Sequence, residues 1–481
     1  MQERPNVIVL VSDTFRPDHL GISGGGHART PELDAFVRRG ITFDRARSSS
    51  FPTIPMREDW FTGRFSHPRH GWQDLDRAAI TLPGILGAHG YASQLIASTT
   101  HMLRARFWAP FTAFHFLRGH EVDVPFTRLN DPVRPVVSDR RKTRVDFRTP
   151  AGAPVTCDVH AHTNFRQRYE DESRPALIAD AACRWIEDNY RGGPFLLWLD
   201  SFDVHEPWFP PDYLLRSYQP SYDGEPMAQP NYHSADAYRP EELADLRARY
   251  ASMCTLLSKH VGRILRLVEE TGLFENTIVV LLSDHGTYLG EHGMVGKSLI
   301  RSDAFDVVPF HPEVARILWT MAVPETLRGS PVPAGTRMGQ LVQAADLLPT
   351  VLDFCGIPAP APARIEGTSL APILRGETDA SPREIAVTAS SSFTHHGQGF
   401  LHCRRPTVTD GTWTLVLRDP PEPGPPSLYL TAEDPAHERD VIAEHRDEGQ
   451  RLHRMMLDFL HAHEAPAAAL ERLSAVNVGL A

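Results

Sequence analysis

Five consecutive apolar residues, Val7-Ile-Val-Leu-Val11, stop abruptly at Ser12-Asp13-Thr14. A second run, Thr277-Ile-Val-Val-Leu-Leu282, stops the same way at Ser283-Asp284-His285-Gly286. Strands apolar on both faces have no solvent side, so they belong inside a parallel sheet covered by helices on both surfaces. In such a sheet the carboxyl ends of the strands share one edge, where ligand sites form. Asp13 and Asp284 can therefore meet although they lie far apart in sequence. Two carboxylates and one imidazole at that edge suit one divalent cation, Mn²⁺, Ca²⁺ or Zn²⁺, with a position left for water or a substrate oxygen. The plainer reading is a turn, since Asp and Gly are common turn residues and His285 could be incidental there.

The rest of the chain points to the α/β class. Ala92–Ala97 and Pro194–Leu199 read as further strands, and residues 176–191 and 240–272 carry apolar positions at helical spacing. Such alternation predicts a mostly parallel sheet flanked by helices. Residues 104–175 are irregular, aromatic and basic, and read as an insertion over the site in which substrate specificity resides. Proline-rich joints at Ile357–Pro362 and Pro420–Pro426 are poor helix or central-strand material. They bracket a smaller C-terminal α+β region, 381–481, which follows a larger domain over 1–380 and ends in a helical stretch at 451–462.

Composition narrows the function classes. A net charge of -11 argues against general nucleic-acid affinity, which needs a basic face, and the Arg140-Arg141-Lys142 cluster reads as a solvated loop. An acidic balance still permits a small anionic substrate, because a local cation sets the site potential. No apolar stretch approaches the ~20 residues that span a bilayer, so no membrane partner is expected. The first strand begins within six residues of Met1, from which no signal peptide is expected. Five scattered cysteines, without Cys-x-x-Cys spacing, suit reduced thiols and a cytoplasmic location.

Between the two acid-tipped strands lies Thr53-Ile-Pro-Met-Arg57-Glu-Asp-Trp-Phe-Thr62-Gly-Arg64. Thr53 precedes a stretch that can be helical, where Pro55 suits the first turn. Its hydroxyl would then stand at a helix N-terminus that favours an anion, with Arg57 one turn on as an oxyanion clamp. An unassisted alcohol is a poor nucleophile, and a neighbouring cation would activate it. The alternative makes Thr53 a cap and Arg57 a surface ion-pair partner.

Thr53-x-Pro-x-Arg57 with Thr62-Gly-Arg64 resembles the Cys/Ser-x-Pro-x-Arg…Thr-Gly-Arg motif of sulfatases, in the alkaline phosphatase superfamily. Asp13-Thr-Phe-Arg-Pro-Asp-His-Leu20 resembles that family's first metal motif, and Ser283–Gly286 with Gly290-Glu-His-Gly293 and Lys297 its second. Asp200-Ser-Phe-Asp-Val-His205-Glu-Pro-Trp208 resembles the segment that supplies a substrate-contacting histidine, and Ala345–Thr350, Gly356, Gly367–Leu370 and Asp434-Pro435 match later landmarks. The resemblance covers nearly the whole chain in order. It implies an alkaline phosphatase-like fold, with Asp13, Asp284 and His285 around one divalent metal and Thr53, Arg57, His101, His205 and Lys297 around the reaction.

The departures shift the expected chemistry. Sulfatases convert the motif Cys or Ser to formylglycine, whereas a threonine carries a Cβ methyl and closes that route, so no formylglycine is expected. Elsewhere in the superfamily threonine attacks phosphorus directly. Thr14 replaces a second aspartate common in sulfatases, leaving the acid–acid–histidine set of the phosphonate monoester hydrolase branch. His101 is kept where sulfatases have a histidine, but Thr99 stands where they have a lysine. Asp203 and His205 are weak candidates for a second metal. The expected activity is metal-dependent hydrolysis of phosphate or phosphonate mono- or diesters through a Thr53 covalent intermediate. The alternatives are sulfuric ester hydrolysis without formylglycine, phosphoryl-group transfer, and non-catalytic anion binding. A homo-oligomer is left open.

Overall fold

The computed structural model describes residues 4–478, apart from 122, 126–132, 135–155, 165–166, 168, 302–303, 330–331, 362, 394–398, 419–424 and 477. The Arg140–Lys142 cluster and Pro420–Gly424 of the second proline-rich joint fall outside the described residues. The chain begins with β1 (Asn6–Ser12), β2 (Ile41–Arg47) and a two-residue β3 (Ser50–Phe51). Ala92–Ala97, Ala113–Phe116, Phe195–Ser201 and Thr277–Ser283 follow as β4 to β7. Two small ladders come next, β8 (Tyr288–Leu289) with β9 (Val295–Gly296) and β10 (Ser298–Arg301) with β11 (Ala304–Val307). After β12 (Trp319–Ala322) and β13 (Arg337–Gln343), the C-terminal region contributes β14 (Ala386–Phe393), β15 (Phe400–Thr409), β16 (Thr414–Val416) and β17 (Ser427–Tyr429).

The large sheet has the order β13-β2-β12-β7-β1-β6-β4-β5. Every pairing in it is parallel except the two made by β12. β1 lies between β6 and β7 and is buried along its length, as its unbroken apolar run requires. Its side chains alternate between two cores. Val7, Val9 and Val11 pack with Ile54, Met56, Trp60 and Phe61 of α2 (Thr53–Thr62) on one face. Ile8 and Leu10 pack on the other face with Leu33 and Phe36 of α1 (Pro31–Arg39) and with the long helix Pro240–Glu270. The strand period of two therefore feeds two apolar layers from one sequence run.

Two readings of the sequence are corrected here. Residues 104–175 are not wholly an insertion, because Ala113–Phe116 joins the large sheet as its edge strand, paired in parallel with β4. Nor do the strands divide cleanly at residue 381. β14 to β17 are four strands of a five-stranded sheet and lie over their own core, which includes Leu452, Met456 and Leu460 of the helix Arg446–Ala462. The outermost strand of that sheet is β3, from far upstream, with Ser50 and Phe51 opposite Ala389 and Ser390. The small sheet thus grips the two residues that lead into Thr53.

Candidate active site and metal centre

Helix α2 is buried on all sides, so each polar residue in it needs a partner inside the protein. Asp59 accepts hydrogen bonds from the hydroxyls of Ser49 and Ser50 and, at 2.8 Å, from the Ser66 N–H. Burial pushes its carboxyl up to about 7 despite these bonds. This anchor ties the end of the helix back to β3 and fixes where the helix begins. Thr53 is its first residue, 3% exposed, and its hydroxyl has no protein partner among the described residues. It therefore stands among the free N–H groups of a helix N-terminus.

Arg57, fully buried one turn later, is surrounded by three carboxylates. Its Nε and Nη2 reach Asp200 at 3.2 and 2.9 Å, its Nη1 bonds Asp284, and its Nη2 lies 3.2 Å from Asp13. These acids come from three adjacent strands. Ser12 pairs with both Ser201 and Ser283, so Asp13 and Asp284 leave the sheet side by side, while Asp200 lies just inside the edge of the neighbouring strand, opposite Val11. One ligand atom each from Asp13, Asp284 and His285 fit within 4.8 Å of one another.

This donor set fits a divalent cation. Asp13 Oδ2 and His285 Nε2 are buried without a hydrogen-bond partner, an unfavourable state unless a further ligand completes them. Three carboxylates against one guanidinium also leave a buried negative excess, which costs several kcal/mol per uncompensated ion. Without a cation that excess is relieved by a proton: burial, followed by the Asp284 charge, drives Asp13 well above the ordinary carboxylate range. Burial opposes ionisation of Asp284 too, but His285 and Arg57 hold it below its usual range. Burial pushes His285 down to about 4, leaving it in the neutral form that binds metals. The backbone at Thr14 is left-handed, with φ 62, a conformation that disfavours a β-branched residue. It is held there because its N–H bonds Asp284 at 2.9 Å and its carbonyl accepts from Tyr250 at 2.7 Å.

The remaining expected residues converge on the same edge. Lys297 Nζ donates at 3.2 Å to the Thr14 hydroxyl, which in turn bonds Asp13 at 2.6 Å. It also pairs with both oxygens of the buried Glu206 at 2.9 Å. His205 stacks on Phe202 with centroids 4.1 Å apart, and its Nδ1 bonds the Glu206 carbonyl at 2.6 Å. Burial and then Lys297 push its pKa well below the usual histidine value. His101 lies edge-on to Trp72 and Phe202, with Nε2 3.1 Å from Glu121. Asp203 does not join a second metal set: its carboxylate faces His120 at 3.6 Å, and among the described residues only the Asp13, Asp284 and His285 group meets the spacing. His70 pairs with Glu58 at 3.3 Å, and His292 stacks on His311 at 4.0 Å.

Several residues of this site were not singled out by role from sequence. Asp200 carries a signal that could have found it, because it ends the apolar run Phe195–Leu199 as Asp13 ends its own. Glu206 lies within a recognised segment, but its pairing with Lys297 is purely tertiary. Glu121 and His120 lie in the irregular segment, where no periodicity marks them.

The chain matches the sulfatase family profile over residues 5–357. It is 24% identical over 399 residues to an arylsulfatase of Clostridium perfringens, across 76% of this chain and 78% of that one. It is also 24% identical over 422 residues to the multifunctional alkaline phosphatase superfamily protein PehA of Trinickia caryophylli, across 77% of each. In fold it is similar to the phosphonate monoester hydrolase of Agrobacterium radiobacter, with a TM-score of 0.72, 21% identity and 96% of each chain covered. A TM-score of 0.69 and 19% identity relate it, over 96% of each chain, to the phosphonate monoester hydrolase SpPMH from Silicibacter pomeroyi. With a family match over most of its length, on an alkaline phosphatase-like sheet, the chain belongs to the sulfatase family of ester hydrolases.

Proposed function

We propose that the protein hydrolyses phosphate or phosphonate esters, with the Thr53 hydroxyl as the nucleophile. The observation that carries this reading is a threonine with an unpartnered hydroxyl at the first position of α2, one turn from Arg57. Asp13, Asp284 and His285 would hold one divalent cation. When bound, such a cation neutralises charge at the nucleophile and on a non-bridging oxygen. In this reading the Thr53 oxygen bonds to phosphorus as the ester oxygen leaves, and water later breaks the phosphothreonine. Arg57 and the helix N-terminus hold the developing oxyanion charge. Lys297, steadied by Glu206, contributes a second positive charge. His205 is neutral with its Nδ1 proton on the Glu206 carbonyl, so its Nε2 is suited to accept a proton from a hydroxyl rather than to donate one.

The reading extends to a small anionic ester as substrate and to action in the cytoplasm. The second point is supported by five free cysteines, four of them buried, and no helix among the described residues is long and apolar enough to cross a membrane. Hydrolysis of sulfate esters is the second reading, favoured by the arylsulfatase among the relatives. A panel of p-nitrophenyl phosphate, phenylphosphonate, bis-phosphate and sulfate esters, each with Mn²⁺, Ca²⁺ or Zn²⁺, separates the two. Faster turnover of the sulfate ester than of every phosphorus ester would overturn the first reading.

A further inference from the structure

We propose that a cavity at the C-terminal end of α2 binds a small zwitterion, an oxyanion and an ammonium joined by a short apolar chain. The site lies away from the chemistry, since Thr62 lines it and Thr53 begins the same helix, about 14 Å of helical rise earlier. The inference goes beyond the ester-hydrolase reading and does not depend on it.

The cavity encloses about 340 Å³, within the range of small-molecule sites. Its floor is Glu58, Thr62 and Ser66, all buried, and its rim carries Gln73, Asp76 and Arg364, all exposed. Two of the floor residues are already committed as donors. The Thr62 hydroxyl donates to the Glu58 carbonyl at 2.7 Å, and the Ser66 hydroxyl donates to the Pro55 carbonyl at 3.1 Å. Glu58 is different. It is 8% exposed, and its Oε1 faces His70 Nε2 at 3.3 Å. Its other oxygen, Oε2, is buried with no hydrogen-bond partner among the described residues. A buried carboxylate oxygen left in this state is costly until a donor completes it. A cationic N–H makes the strongest hydrogen bond to such an oxygen.

Arg64 supplies the opposite end. Arg69 and Arg364 line the same cavity, but they already pair with Glu366 at 2.8 Å and Glu464 at 2.7 Å. Arg64 comes no nearer than 3.6 Å to either glutamate, and its Nε is buried without a hydrogen-bond partner. Its planar fork is therefore left to hold an oxyanion by two parallel N–H bonds. Three arginines against the carboxylates of Glu58 and Asp76 give the lining both signs, which a ligand of one charge cannot match. Ala78, Ala79, Ile80 and Ala363 add an apolar wall, suited to methylene groups between the two charges.

Isothermal titration calorimetry of the full chain tests the site, with β-alanine, 4-aminobutyrate and 6-aminohexanoate as probes of increasing span. Hexanoate and hexylamine are the single-ended controls. At least one zwitterion should bind about 10-fold or more tightly than both controls, the scale of one hydrogen bond to a charged group. That affinity should fall by about 10-fold or more in Glu58→Gln, which keeps the shape of the side chain but not its charge. It should fall as far in Arg64→Met, while Thr53→Ala, at the other end of the helix, should bind as the wild type does. Zwitterions no tighter than the controls overturn the proposal, as does undiminished binding in Glu58→Gln. A comparable loss in Thr53→Ala would place the probes at the reaction centre and overturn it too. Should Arg64→Met fail to fold, Glu58→Gln and Thr53→Ala decide between them. No arm of the test measures turnover, so a wild type inactive on every ester would refute the ester-hydrolase reading and leave the binding result to judge the cavity.

Discussion

Replacing Arg57 by leucine should cost stability in a way that depends on pH and on divalent ions. The guanidinium is fully buried against Asp200, Asp284 and Asp13, so its removal strands three carboxylates without a counter-charge. Breaking a buried ion pair by deleting one partner costs about 3–5 kcal/mol. Unfolding entropy scales at about 2.1 cal/mol/K per residue, so a cooperative transition of this size loses roughly 3–5 °C in Tm. In the variant Asp13 and Asp200, raised by burial, rise further above the unfolded value of about 4, and Asp284 loses part of what holds it below that value. A carboxyl with a raised folded pKa stabilises the fold below the unfolded pKa and loses that contribution as pH climbs. The deficit against wild type should therefore be larger at pH 8 than at pH 5. Added Mn²⁺ or Ca²⁺ should raise the variant's Tm, since binding to the native state alone stabilises it. Differential scanning calorimetry at the two pH values, with and without the ion, measures all three effects. A variant within 1 °C of wild type at pH 8, or a deficit equal at both pH values, refutes the argument from the buried charge excess.

Thr53→Ala should lose almost all turnover while keeping the wild-type Tm, and Thr53→Ser should keep some, with a phosphothreonine trapped by acid quench and mass spectrometry in the wild type only. An active Thr53→Ala protein would exclude the hydroxyl as nucleophile. Asp13→Asn, Asp284→Asn and His285→Ala should each reduce bound divalent ion well below the one equivalent per chain expected for wild type, measured by elemental analysis after dialysis. Full metal content in all three would refute the site. Burial, followed by neighbouring cationic groups, pushes His311 down to about 2 and His437 down to about 3. Unfolded histidines titrate near 6.5, so the unfolded state takes up protons that the native state refuses, and stability falls as pH drops below that value. The two should cost on the order of 2 kcal/mol between pH 6.5 and 5.5, and urea unfolding of His437→Gln should show a shallower slope than wild type.

Sequence alone determined the frame of this site. Unbroken apolar runs ending in Asp13 and Asp284 read as central parallel strands, because such a strand buries both faces of the run, and strand ends in one parallel sheet share an edge. The helix carrying Thr53 and Arg57 was legible for a similar local reason, since one helical turn separates the two. Even Asp200 was within reach of that rule. What only the tertiary structure decided depends on partners distant in sequence. The pairing of β3 with β14 involves two residues on one side, too few to carry a period. The ion pair of Lys297 with Glu206, the three acids around Arg57 and the contact of Glu121 with His101 join segments that no spacing connects. The edge strand Ala113–Phe116 is mostly exposed and lacks the buried apolar pattern that marked the central strands. Local sequence sets the period of each element, whereas the charges and proton states of the site arise from which elements the fold brings into contact.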